Sequence, residues 1–97
     1  MDKLYTNRDE AKQGCEYEAT TAIRYAEAAI SYAREGKTGA AWRMAEIAHA
    51  AAKCAAQAHD ELWELTDGEL TDAEFEAFEK AEIALIKANA AADKLNK

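Results

Sequence analysis

The chain has no proline and no valine, and only four glycines and two cysteines among its 97 residues. With no proline to break a helix from within, the glycines are left as the punctuation. The missing valine thins the core. Apolar residues make up 49% of the chain, but 25 of them are alanine. A buried Ala contributes well under the roughly 1.5–3 kcal/mol of a large aliphatic side chain. Helix propensity therefore carries more of the stability than usual, and so lean a core gains by self-association or by docking on a partner.

Long apolar runs are also lacking. Residues 1–13 hold no signal-peptide h-region, and the alanine-rich stretch is interrupted by His49, Lys53 and Gln57, which excludes a membrane span. The cysteines are badly placed for a bridge. If the first two helices turn near Lys37, Cys15 lies opposite residue 60 rather than Cys54. The axial offset is ~9 Å at ~1.5 Å per residue, beyond the ~7 Å limit between Cα atoms. Free thiols in a reducing, cytoplasmic setting follow as the expectation, in a single domain spanning residues 1–97.

What is present is helical periodicity. Ala41, Met44, Ala48, Ala51, Ala55, Ala58, Leu62 and Leu65 follow alternating three- and four-residue steps, the signature of one helix face. Ala45, Ala52 and Ala56 widen that arc to ~180°, more than one packing neighbour needs. Upstream, Cys15, Ala19, Ala22, Ala26, Ala29 and Ala33 form a comparable stripe, broadened by Ile23 and Ile30. Downstream, Phe75, Phe78, Ala81, Leu85, Ala88, Ala92 and Leu95 form the third, with Lys87, Lys94 and Lys97 suiting the negative end of that helix. Asn7 with Glu10 and Thr71 with Glu74 have capping-box spacing. Gly36 and the Thr66-Asp67-Gly68 run are stops, and Thr38 is the expected N-cap of the second helix. Gly14 inside the first helix weakens it by roughly 1 kcal/mol relative to Ala, so residues 8–13 are expected to fray or kink. The expected fold is all-α: an Ala-rich, up-down-up three-helix bundle with helices over about 8–35, 39–65 and 72–95, with dimerisation as an open outcome.

Charge is distributed unevenly. Between His59 and Glu82 lie ten acids and one base, Lys80, a net −9, while the other residues carry eleven bases and nine acids. Such a block attracts a basic partner at long range and repels nucleic acid. The plainer alternative is that Asp72, Glu74 and Glu76 serve a helix N-terminus and the rest only solvate a surface. By helical register Trp42 falls on the outer face of helix two with Glu46, His49 and Lys53, and Ile83 points outward from helix three. Tyr25 and Tyr32 share a flank of helix one. Exposed Trp and Tyr are frequent interface anchors, although tyrosine flanks also seal small cores and scattered apolar residues are normal on surfaces.

Motifs of chemistry are weak. Glu46 and His49 have the spacing of one di-iron ligand pair, without the second pair and further glutamates such a site needs. His49, Cys54 and His59 step by five and scatter around the helix. The run from Asp67 to Phe75 resembles the second half of an EF-hand loop, but its first two ligand positions would be Trp63 and Leu65. Gly36-Lys37-Thr38 echoes a phosphate loop without the strand or the leading glycine, position 31 being Ser. Tyr32, Gly36, Ala41 and Ala48 resemble one tetratricopeptide hairpin, with no recurrence. No cofactor, metal site or catalytic nucleophile is expected.

The expected function is a non-catalytic protein-binding module, a small acidic inhibitor or adaptor docking on a basic surface. Its contact residues would be Asp60, Glu61, Glu64, Asp67, Glu69, Asp72, Glu76 and Glu79, with Trp42 and Ile83. In size and charge the chain is similar to the acidic helical proteins that phages use against nucleic-acid enzymes of their hosts, anti-CRISPR and anti-restriction proteins among them, some of which imitate DNA. Neither direct nucleic-acid binding nor membrane attachment is expected. The alternative is a structural module that homo-oligomerises through its alanine faces.

Overall fold

The computed structural model describes residues 5–95 and places three helices there: α1, Arg8–Arg34; α2, Thr38–Thr66; and α3, Asp72–Leu95. They pack side by side, up-down-up, in a body of 45 × 28 × 17 Å. Asn7 caps α1, its side-chain oxygen accepting from the Glu10 amide at 2.9 Å. The helix ends at Glu35, and Gly36 follows with φ +78°. There the Gly36 amide donates to Ala33 O and the Lys37 amide to Tyr32 O, closing the orphan carbonyls in a Schellman arrangement. Lys37 then occupies the cap position of α2 without a side-chain cap bond. Thr38 is therefore the first helical residue, not the N-cap, because the tight exit from α1 leaves no extended residue for Thr38 to occupy. The second capping box forms in full: Thr71 Oγ1 accepts from the Glu74 amide at 3.2 Å, and Glu74 Oε1 accepts from the Thr71 amide at 2.9 Å.

Residues 8–13 do not fray at Gly14. The helix is continuous from Arg8, and Ala11 is fully buried. The Tyr5 ring lies where a Cβ at position 14 would stand, so glycine is required for close approach.

Alanine dominates the interior. Ala19, Ala22, Ala26 and Ala29 of α1 face Ala45, Ala48, Ala52 and Ala55 of α2 and Ala77, Ala81, Ala84 and Ala88 of α3 in one cluster. The largest fully buried side chains are only Leu62 and Cys15. Ala33, Met44 and Leu65, expected on the buried stripes, are only half-buried. Small side chains let the backbones approach closely, and the gain is dispersion between backbones as much as side-chain burial. Helix α1 packs extensively on both others, whereas α2 and α3 meet least.

The buried face of α3 departs from expectation. Phe75 and Leu85 are exposed, at 51% and 38%, while Glu74, Ala77, Ala84 and Ala91 are buried. The helix is turned so that alanines, not the bulky residues, meet the alanine faces of α1 and α2. Cys15 Sγ donates to Ala77 O at 3.2 Å, and Arg8 holds Glu74, fixing that rotation. Lys87 reaches sideways to Glu27 of α1 at 3.0 Å, and Lys94 lies in the last turn. Lys97 lies outside the described residues. Both cysteines are free, Cys15 buried and Cys54 exposed. Among the described residues no helix is long and apolar enough to cross a membrane.

Candidate functional site

The acidic segment folds into the end of the bundle where α2 passes into α3. The turn is tight. Asp67 adopts φ +52°, and the Gly68 amide donates to Trp63 O, while Thr66 Oγ1 donates back to Leu62 O at 2.8 Å. Of the ten acids there, two turn inward. Glu74 is buried and takes Arg8 Nε at 2.7 Å, with the Arg8 guanidinium also reaching Glu69 O. That hydrogen bond, aided by the Thr71 amide, holds the Glu74 carboxyl at about 2. Glu61, expected at the partner surface, is also buried, accepting from the Tyr5 amide at 2.9 Å and from Gln57 at 3.0 Å. It satisfies a backbone donor of the strap before α1 and is withdrawn from any contact surface.

The remaining eight acids are exposed, distributed over one end. Asp60 and Glu64 lie on the α2 side of the seam with α3, and Glu82 on the α3 side. Asp67, Glu69 and Asp72 surround the tip, and Glu76 and Glu79 follow on exposed positions of α3. Trp42 and Ile83 are exposed, at 41% and 47%; by helical register Ile83 shares the exposed face of α3 with Glu76 and Glu79, whereas Trp42 stands apart from the group. Trp42 lies ~31 Å from Trp63 along α2 at ~1.5 Å per residue, and Ile83 lines none of the clefts described here.

Between Asp60, Glu64 and Glu82 is an aromatic cluster, built from residues that no sequence motif unites. His59 stacks on Phe78 with centroids 3.3 Å apart, and Trp63 tilts against Phe78 at 5.8 Å. Asp60 Oδ1 lies 3.3 Å from His59 Nδ1. Glu82 Oε1 lies 3.5 Å from His59 Nε2, which makes no hydrogen bond. Trp63 is half exposed, and the cluster forms the floor of a cleft of about 510 Å³ lined also by Asp60 and Glu64. A second cleft, about 210 Å³, continues from His59 past Ala56 to Leu85 and Glu82. Further along the same seam a third, about 380 Å³, lies between Trp42, His49 and Ala92.

The signal for this seam was present in the sequence. Trp42, His49, Ala56 and Trp63 recur every seven residues, and so do Phe78, Leu85 and Ala92. All seven line the clefts. On the opposite side of α2, Tyr17, Tyr25 and Tyr32 of α1 line a separate cleft with Arg24 and Met44. Among the described residues no group of three or more His, Cys, Asp or Glu is arranged to hold a metal ion. Cys15, buried, has its thiol pushed up to about 11, first by burial and then by Glu16, so it is a neutral donor and not a nucleophile near pH 7.

No protein-family model matches the chain, and neither curated proteins nor solved structures match it.

Proposed function

We propose that the protein is a non-catalytic binding module whose acidic end docks on a basic protein surface, acting as an inhibitor or adaptor. One observation carries this reading: eight exposed carboxylates lie at a single end of an alanine-packed body, three of them, Asp60, Glu64 and Glu82, beside an aromatic cluster whose Trp63 is half exposed. Clustered like charges destabilise a fold through repulsion, and large aromatics left in solvent add nothing to its core. Both features gain their value on association, where charge steers encounter and the aromatic groups supply affinity.

Antagonism of a nucleic-acid-processing enzyme, with carboxylates standing where phosphates would, is one form of this function, supported by size and charge. A module that self-assembles through alanine faces is less well supported, because those faces are spent inside the bundle. Reversing Asp60, Glu64, Glu76 and Glu79 to lysine is expected to abolish salt-sensitive capture of a partner from the source lysate while helicity by circular dichroism is kept. Undiminished capture by that variant sinks the proposal.

A further inference from the structure

We infer that the seam between α2 and α3 seats an amphipathic α-helix of the partner, basic along the part lying against Asp60 and Glu82, so that the complex is a local four-helix bundle. The inference rests on the acidic-end reading and adds the shape of the partner to it. Floor residues repeat every seven positions on both helices, the spacing a third helix needs to set its side chains into successive holes. An extended strand, with its two-residue repeat, finds no such register. The weak mutual packing of α2 and α3 leaves the seam wide, and Trp63 and Leu85 stand in it half exposed. From Trp42 to Trp63 the seat is ~31 Å long, the length of a helix of about 21 residues.

Charge selects the occupant. A second copy of the chain carries −7, and its bases outnumber acids by only two outside the acidic segment. Covering Asp60 and Glu82 with such a surface would desolvate two carboxylates without a matching cation. A helix bearing Lys or Arg beside its apolar stripe supplies the cations. The far end of the seam holds Glu46 and Lys53 together, so the basic residues are required at the hairpin end alone.

The test uses two synthetic peptides of about 21 residues and identical composition, one with Leu in a seven-residue repeat and Lys/Arg flanking one half, the other scrambled. The full-length protein is titrated with each, following the fluorescence of Trp42 and Trp63, which both line the seam, with tryptophan-free peptides and calorimetry in parallel. The patterned peptide is expected to bind at least about tenfold more tightly, about 1.4 kcal/mol. Leu85→Gln is expected to remove that preference, Tyr17→Gln on the opposite cleft to leave it intact, and Asp60→Asn with Glu82→Gln to weaken both peptides. Equal affinity for the two peptides overturns the helix seat while leaving the acidic surface standing. Failure of both peptides to bind at low salt overturns both readings. A wild-type dimer in sedimentation that Leu85→Gln dissociates assigns the seam to a second copy and likewise overturns the inference.

Discussion

At Glu74 one carboxylate does three things: it closes the capping box of α3, binds Arg8 of α1, and sits buried at 3% exposure. Its pKa is lowered from the ordinary 4.5 to about 2, chiefly by the Arg8 hydrogen bond and next by the Thr71 amide, against the opposing effect of burial. Because the folded value is the lower one, the stabilisation is complete above the ordinary value and is lost as pH falls from about 4.5 toward about 2. Acid unfolding followed by circular dichroism should show wild-type stability falling through that window, and Glu74→Gln losing less there, having no charge to neutralise. At neutral pH Arg8→Ala, which leaves the buried carboxylate without its partner, is expected to lower the urea midpoint of unfolding. Asp67 offers the opposite case. It holds a left-handed conformation, φ +52°, at the end of α2, where a side chain carries a steric cost that glycine avoids. Asp67→Gly is expected to raise stability by about 0.5–1 kcal/mol, the steric relief exceeding the entropy glycine loses.

Among the elements, α3 shows how an amphipathic pattern can be oriented wrongly from sequence. Its bulky residues and its alanines occupy adjacent arcs, and both arcs read as apolar. The alanine arc faces inward because α1 and α2 present alanine surfaces that admit only small side chains at close approach. One substitution separates the orientations. Leu85→Ala should change the unfolding free energy in urea by under about 0.5 kcal/mol as an exposed position, whereas a core leucine would cost about 2–5 kcal/mol. Conversely Ala22→Leu or Ala52→Leu, at positions with no exposure, should destabilise by about 1–3 kcal/mol through overpacking. A neutral result at both alanines would mean that the helices do not approach as closely as described.

For the whole molecule the dominant feature is electrostatic asymmetry. With eight exposed acids at one end, self-repulsion opposes folding and is relieved by screening. Raising ionic strength from about 0.01 M to about 1 M shortens the Debye length from ~30 Å to ~3 Å. The thermal midpoint is therefore expected to rise with sodium chloride, and to rise less in a variant with Glu76 and Glu79 changed to Gln. The same salt should weaken capture of a basic partner. Stability and binding thus respond to ionic strength with opposite signs, which distinguishes a charge block placed for recognition from one that merely solvates.

Helix number and extent were legible in the residues themselves, because a 3.6-residue period, two capping boxes and glycine-containing stops are local signals that need no partner. The concentration of acids at one end followed from the same turn. Three things needed the tertiary structure. The rotation of α3 depended on the shape of the surfaces it meets. The inward turn of Glu61 and Glu74 depended on the Tyr5 amide and on Arg8, 56 and 66 residues away. The seam became a groove only when seven-residue repeats on two different helices were brought side by side. Period and capping act within a few residues of chain, whereas the burial of a charge or the facing of two stripes is settled by groups that only folding brings together.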